Sequence, residues 1–242
     1  MFKYLAFSAL IILCTGWIIS TCYYHVKTMP NSQLELKGGF DPPSRVSVGP
    51  PEYYPQDTTV KIMVHHQGYN EEGSGTIVTS DGLIVTAGHV MDWGKTHVAD
   101  VALPSGKHYQ AQLKYISNTR DLSVIKIQNL ADGTLPFIPL STTPKLEKGE
   151  KSSLWGYSTK KLMKKDMVFV GKMQPSAKDS DLEFTAAARE GDSGGPIFNS
   201  QQKLVGVVSA YRNDNMHTIG ANIEAMRTAT CKADKKYCEV TV

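Results

Sequence analysis

Short apolar runs separated by turn residues fill most of the chain after Thr59, and this pattern restricts the fold most strongly. Val60, Ile62 and Val64 recur at every second residue, the period of a strand with one buried face. The apolar runs 76–79 and 83–86 are joined by Ser-Asp-Gly, a strong hairpin signal. Further strands are predicted at 98–103, 109–115, 121–127, 167–170, 182–185, 196–199, 204–210 and 219–223. The pattern predicts an all-β sandwich or barrel, with helix only at 224–228 and 90–93.

An apolar segment at the amino terminus stands apart from the β pattern. The 21 residues from Tyr4 to Tyr24 carry no charge, and a helix of that length spans a hydrocarbon core of about 30 Å. We predict a transmembrane signal anchor over residues 1–24, with a cleaved signal peptide as the main alternative. Residues 19–22 (Ile-Ser-Thr-Cys) also resemble a lipoprotein box faintly. The mean hydropathy of −0.25 excludes only a protein with many spans.

A proline-rich linker is predicted over residues 25–58. It contains six prolines, which disfavour helix and remove backbone donors. A β domain at 59–228 and a short tail at 229–242 complete the predicted organisation. Hydrophobic residues make up 41% and charged residues 20% of the chain, which excludes a disordered protein. The net charge of +3 is too small to indicate nucleic-acid binding.

Three short motifs within the predicted β domain carry the residue types of nucleophilic catalysis. Thr-Ala-Gly-His at 86–89 ends a strand, Asp121 precedes another, and Gly-Asp-Ser-Gly-Gly-Pro occupies 191–196. A histidine or an aspartate in such a place is, by itself, usually an ordinary surface or turn residue. The glycine-rich segment is more specific, because its glycines allow backbone N–H groups to converge beside a serine.

In this order the three motifs resemble those of the trypsin-like serine proteases, which have the chymotrypsin fold. The spacings of 32 and 72 residues are short and are most similar to the protease domains of the HtrA (high-temperature-requirement) type. The resemblance covers roughly residues 59–227 and implies two six-stranded antiparallel β-barrels. The chain ends soon after the predicted barrels, so we expect no PDZ domain of the kind that many HtrA-type members carry.

The resemblance implies a serine-type endopeptidase that cuts peptide bonds through an acyl-enzyme. His89, Asp121 and Ser193 take the catalytic roles, and the amides of Gly191 and Ser193 form the oxyanion hole. The alternative is a catalytically silent relative that binds peptides in the same groove. A protein or peptide substrate is expected, without cofactor or metal. The pair at 65–66 (His-His) has no third ligand at a recognisable spacing, so it predicts no metal site.

The same resemblance places the specificity pocket and raises a question about activation. Ala187 stands at the pocket base, and its walls come from 209–211 (Ser209, Ala210, Tyr211) and the segment near Gly220. No acid occupies the base, so we expect small or medium apolar residues before the cut, with an acidic residue drawn by Arg189 as the alternative. No Ile-Val-Gly-Gly-like start precedes the barrels, so Asp192 must find a partner other than a freed amino terminus.

The location follows from the amino-terminal segment and from two cysteines in the tail. An anchor would hold the protease domain at a membrane on the extracytoplasmic side, periplasmic or extracellular, and cleavage would make the protein secreted. Cys231 and Cys238 are seven residues apart. A disulfide between them is favoured over two free thiols in an oxidising compartment.

Overall fold

The computed structural model describes residues 54–130, 134–140, 144–173 and 181–238, all within a compact unit that spans 52–242. The predicted anchor at 1–24 and most of the predicted linker at 25–58 lie outside the described residues. Among the described residues, no helix is both long enough and apolar enough to cross a membrane.

The described strands form two closed antiparallel barrels of six strands each, as predicted. The first has the order β1-β2-β3-β6-β5-β4 and the second β10-β11-β12-β9-β8-β7. The strands of the first barrel are β1 Thr59–His65, β2 Asn70–Ile77, β3 Leu83–Thr86, β4 Val98–Ala102, β5 His108–Ser117 and β6 Leu122–Ile127. Those of the second are β7 Lys151–Gly156, β8 Met163–Lys172, β9 Leu182–Phe184, β10 Pro196–Asn199, β11 Leu204–Tyr211 and β12 Thr218–Asn222.

The described helices are short and lie at the ends of the barrels. Helix α1 covers Pro55–Thr58, just before β1, and α2 covers Ile223–Ala233, directly after β12. Two 3₁₀ helices cover His89–Gly94 and Lys235–Tyr237. The Asn222 side chain accepts a hydrogen bond from the Ala225 N–H at 2.8 Å, a typical cap at the start of α2. Helix α2 is longer than the predicted 224–228, so it crosses the boundary predicted after residue 228.

Strand β2 begins well before the apolar run that predicted it. Its first six residues are Asn-Glu-Glu-Gly-Ser-Gly, a composition that disfavours strands. Pairing with β1 along its whole length, from Thr59↔Thr76 to His65↔Asn70, stabilises it nonetheless. A Cβ at position 75 would lie only 2.6 Å from Ile84 Cγ2, so Gly75 lets the strand approach the barrel interior closely. Strand β7 was also not predicted, because its apolar content is limited to Leu154 and Trp155.

One apolar cluster joins the two barrels. It contains residues of the first barrel such as Val85 and Leu122, residues of the second such as Phe198 and Val207, and Met226 of α2. Burial of apolar surface is worth about 25 cal/mol per Å², so this shared cluster stabilises the two barrels as one body. Segments that lie where the two barrels meet are therefore held by both barrels.

The tail is attached to the first barrel by a disulfide-closed turn. Cys231 and Cys238 form a disulfide, and the turn between them carries Lys236 and Tyr237. The Lys236 ammonium and the Tyr237 hydroxyl donate to the Asp81 carboxylate at 2.5 and 2.7 Å. Burial acts to raise the pKa of Asp81, but these bonds and the Lys126 ammonium hold that pKa far below its ordinary value. The predicted β-turn at Asp81 is thus also an anchor point for the tail.

Candidate active site

The pairing of β3 with β6 brings His89 and Asp121 together. The register pairs Thr86 with Ser123, so the residues just after β3 and just before β6 are neighbours. His89 Nδ1 lies 3.0 Å from Asp121 Oδ2 and 3.1 Å from Oδ1. The backbone N–H of His89 also donates to Oδ1 at 2.9 Å. The carboxylate therefore determines both the position and the orientation of the imidazole.

Asp121 is a buried carboxylate with a full set of donors. Its side chain is 2% exposed, and its other strong contact is the Ser209 hydroxyl, which donates to Oδ2 at 2.6 Å. Burial acts to raise the pKa of Asp121, but the bonds and charge from His89 and the Ser209 bond outweigh it, so the pKa is lowered. Asp121 also has a φ of +45°, a left-handed conformation that aspartate tolerates better than most residues. The site thus keeps this carboxylate ionised at neutral pH.

The glycine-rich segment forms a tight turn before Ser193. The Asp192 N–H donates to the Arg189 carbonyl at 2.9 Å, and Gly191, the third residue of the turn, has a φ of +89°. A Cβ at position 191 would lie 2.7 Å from the Tyr157 carbonyl oxygen. Only glycine meets both the dihedral and the contact without strain.

The same segment packs against the strand that leads to His89. A Cβ at Gly194 would lie 2.1 Å from Thr86 Oγ1 and 2.8 Å from the Ala87 nitrogen. The Ser193 carbonyl accepts the Ser74 N–H at 2.7 Å, which attaches this segment of the second barrel to β2 of the first. The structure thus gathers all three predicted motifs at the junction of the barrels.

The Gly191 and Ser193 N–H groups differ from the other amides of the glycine-rich segment, since those of Asp192, Gly194 and Gly195 donate to backbone carbonyls. Among the described residues, neither the Gly191 N–H nor the Ser193 N–H donates to a protein acceptor, and no hydrogen bond joins His89 Nε2 to Ser193 Oγ. Catalytic hydrogen bonds are often long before substrate binds. Two neighbouring amides without a protein acceptor are suited to receive an anionic oxygen.

Comparison with known proteins agrees with this arrangement. The profile of the trypsin-like peptidase domain matches residues 73–207, a span that contains His89, Asp121 and Ser193. The chain belongs to the trypsin-like peptidase family. The fold of this peptidase domain is shared with the serine endoprotease from Yersinia pestis, at a TM-score of 0.64 and 20% identity, over 77% of this chain and 68% of that one.

Several curated relatives of the peptidase domain are named as HtrA or DegP-like proteases. Human serine protease HTRA4 is 34% identical over 155 residues, which is 60% of this chain and 31% of that protein. The probable periplasmic serine endoprotease DegP-like of Chlamydia muridarum is 33% identical, over 61% of this chain and 30% of its own length. The chain therefore spans about a third of the length of these relatives, and the predicted HtrA-type resemblance is confirmed.

The residues predicted for a specificity pocket lie on two neighbouring segments of the peptidase domain. Ala187 is half-buried, and Thr218 of β12 links the residues on either side of it: its hydroxyl accepts the Ala188 N–H at 2.8 Å and donates to the Ala186 carbonyl at 2.7 Å. Ala210 and Tyr211 end β11, and the Tyr211 side chain is 49% exposed. Ser209 is placed with its hydroxyl on Asp121, a contact that the sequence did not predict.

Two further residues of the site were missed at the sequence level. The Ser74 hydroxyl donates to the Gly191 carbonyl at 2.7 Å and accepts the Tyr157 N–H at 2.9 Å. Lys165 of β8 forms an ion pair with Asp192. Neither belongs to a motif, and Lys165 lies before the strand predicted at 167–170. The only signal for it was the expectation that Asp192 needs a partner other than a freed amino terminus. Within the described residues, no group of three or more His, Cys, Asp or Glu side chains could hold a metal ion.

Proposed function

We propose that the chain is a serine endopeptidase that hydrolyses peptide bonds through an acyl-enzyme. His89 Nε2 takes the proton of Ser193 Oγ as that oxygen attacks the peptide carbonyl carbon. His89 then returns the proton to the leaving amine, and the acyl group stays on Ser193. A water molecule attacks the ester in the same way, releasing the new carboxyl group and restoring the serine.

The observation that carries this proposal is the contact between His89 and Asp121. A serine hydroxyl is a weak nucleophile at neutral pH and needs an adjacent base. Because both Asp121 oxygens face His89 Nδ1, the proton on that ring is held at Nδ1, which leaves Nε2 free to act as the base. The ionised Asp121 also stabilises the imidazolium that forms when Ser193 loses its proton.

The amides of Gly191 and Ser193 are the proposed oxyanion hole. The tetrahedral intermediate places a negative charge on the former carbonyl oxygen, and one donor to that oxygen is typically worth about 3 kcal/mol of barrier. The Arg189–Asp192 turn and the φ of +89° at Gly191 support this assignment, since they determine the direction of the Gly191 N–H. No cofactor is needed for any of these steps.

The competing proposal is that the chain is catalytically silent and binds peptides in the same groove. One observation favours it: among the described residues, no hydrogen bond joins Ser193 to His89. Labelling of the full-length protein with a fluorophosphonate separates the two, because the reagent reacts only with an activated serine. We expect a covalent adduct, located at Ser193 by peptide mass spectrometry. Wild-type protein that stays unlabelled would support the silent relative instead.

We propose that the substrate residue before the cut is small or medium and apolar. Ala187 offers a methyl group at the pocket base, and the Thr218 hydroxyl beside it is already bonded to the backbone on both sides. None of the residues assigned to the pocket is acidic, so none of them would pair with a basic substrate side chain. The exposed Arg189 favours the alternative, an acidic residue.

A library of peptides that vary at the residue before the cut tests this specificity. We expect the fastest cleavage after alanine, valine and residues of similar size. Peptides with lysine or arginine should be cut about 100-fold more slowly, since a buried unpaired charge in the pocket is costly. Preferential cleavage after basic residues would contradict the proposal. Preferential cleavage after glutamate would contradict it too and would indicate that Arg189 determines the specificity.

We also propose that the peptidase domain is extracytoplasmic and tethered through residues 1–24. The 21 uncharged residues from Tyr4 to Tyr24 support a membrane segment, and the Cys231–Cys238 disulfide supports an oxidising compartment. Intact mass of the protein purified from membranes should equal that of the whole chain. A smaller mass, equal to that of a chain beginning after residue 20, would show that the segment is cleaved and the enzyme is secreted instead.

A further inference from the structure

Lys165 lies on the inward face of a strand, where a charge is expensive. Along β8, Met167 and Phe169 are buried, and Lys165 has the same phase, two residues before Met167. It pairs with Leu154 of β7, which is also buried. The Lys165 side chain is 20% exposed, whereas that of its outward neighbour Lys164 is 45% exposed. A lysine in such a position requires a counter-ion.

The counter-ion is Asp192, whose side chain is fully buried. Its Oδ2 atom accepts from the Lys165 ammonium and from the Arg189 N–H, the latter at 2.8 Å. Within the part of the chain that the structure describes, its Oδ1 atom has no hydrogen-bond partner; it lies against Gly156, where a Cβ would approach it to 2.6 Å. Among the described residues, Lys165 is the only cation in contact with this carboxylate.

The position of Asp192 links this ion pair to the proposed chemistry. Asp192 stands between Gly191 and Ser193, so the direction of its side chain determines how the peptide groups on both sides are turned. A buried carboxylate that loses its cation is strongly disfavoured and would rotate towards water. That rotation would break the Arg189–Asp192 turn and redirect the Gly191 N–H.

We propose that Lys165 is a positioning residue that holds the 189–193 turn in its reactive arrangement. The inference rests on the proposed peptidase function and adds the way in which that site is maintained. Because the cation belongs to the same continuous chain as Asp192, the arrangement needs no cleavage of the chain to supply it.

The test compares Lys165→Met with Lys164→Met in the full-length protein. Both replace a lysine of β8 by an unbranched apolar side chain, but Lys164 forms its ion pair with the exposed Asp166, at 2.9 Å. For Lys165→Met we expect fluorophosphonate acylation and kcat to fall about 100-fold, the cost of one lost oxyanion donor, with KM changed less than about threefold. Lys164→Met should stay within about twofold of wild type on each measure.

Two rescue variants separate a role of the charge from a merely structural one. Lys165→Arg keeps a cation and should recover most of the acylation rate. Lys165→Met combined with Asp192→Asn leaves no buried charge, so it should acylate faster than Lys165→Met alone. If Lys165→Met does not fold, Lys165→Gln takes its place, since its amide donates a hydrogen bond without charge and the same loss is expected.

The outcomes distinguish this inference from the proposed function. If wild type is labelled and Lys165→Met or Lys165→Gln is labelled equally fast, the role of Lys165 is overturned and the peptidase stands. If wild type is not labelled, the peptidase proposal fails, and amide hydrogen exchange then tests the inference separately. Peptides covering 189–195 should exchange faster in the Lys165 variant than in Lys164→Met, and equal exchange would overturn the positioning role.

Discussion

Replacing Ser193 with alanine is expected to lower kcat for peptide hydrolysis by about a millionfold, which places it below detection, and to abolish fluorophosphonate labelling. The variant removes the attacking oxygen but leaves the backbone contacts of Ser193 intact, including the bond from the Ser74 N–H to its carbonyl. The fold should therefore survive. The measurement is hydrolysis of a fluorogenic peptide by the full-length variant, alongside labelling.

Ser200→Ala is the matched control for this prediction. Ser200 is an exposed serine that donates to Glu150 at 2.7 Å, and it follows β10, away from the Gly191–Gly195 segment. We expect it to hydrolyse and label like wild type. Hydrolysis that persists in Ser193→Ala at the wild-type rate would mean that another group attacks the substrate or that a contaminating protease is present. Activity that stays with the variant through further purification would point to another group of this protein, and activity that separates from it would point to a contaminant.

Replacing Asp121 with asparagine should lower kcat about 10⁴-fold with a small change in KM. The amide has nearly the same shape and also tolerates the left-handed backbone at this position. However, its NH₂ group donates where the carboxylate accepts, so the imidazole of His89 takes the wrong tautomer. Asparagine also lacks the negative charge with which Asp121 stabilises the protonated imidazole. Steady-state kinetics at neutral pH measure the effect.

Asp100→Asn provides a control of the same chemistry. Asp100 Oδ2 also contacts a histidine, His65 Nε2 at 2.8 Å, but both side chains are about half exposed. We expect its kcat to match that of wild type. Equal losses in the two variants would indicate a general effect of removing negative charge rather than a specific role of Asp121.

The Asp121 variant should also change how stability depends on pH. In the folded chain the pKa of Asp121 lies below its ordinary value, so the unfolded state binds its proton more tightly. The resulting stabilisation is complete above the unfolded pKa, about 3.9, and is lost as pH falls through the lower folded pKa. The free energy of unfolding of Asp121→Asn should therefore decrease less than that of wild type between about pH 5 and pH 2, as measured by urea denaturation.

Local sequence was sufficient to predict His89, Asp121 and Ser193 as a set. Each lies in or beside a short motif, and the order of the motifs is typical of one family. The strands with a clear apolar period, such as β1 and β3, were also predicted. Strand β2 was predicted only in part, because its polar and glycine-rich first half is stabilised by its neighbours rather than by its own composition.

The contacts that support these residues required the tertiary structure. Ser74 lies 117 residues from Gly191, Ser209 lies 88 from Asp121, and Lys165 lies 27 from Asp192. No period or motif relates positions so far apart, and each residue type has an ordinary alternative as a strand residue. Lys165 in particular lies outside every strand predicted from the sequence, since the predicted strand begins at residue 167.

The sequence by itself indicated an all-β sandwich or barrel, because alternation and turn glycines are local constraints that the backbone must obey. The two six-stranded barrels and the residues of the proposed chemistry were implied by the resemblance of three motifs to the trypsin-like serine proteases. The tertiary structure alone decided which groups surround them. The packing of the two barrels brings Ser74 into contact with the 191–193 segment and Ser209 into contact with Asp121. Lys165 contacts Asp192 because its position on β8 directs its side chain inward. Charges and hydrogen-bond donors act through space, so their partners are set by packing and register rather than by position along the chain.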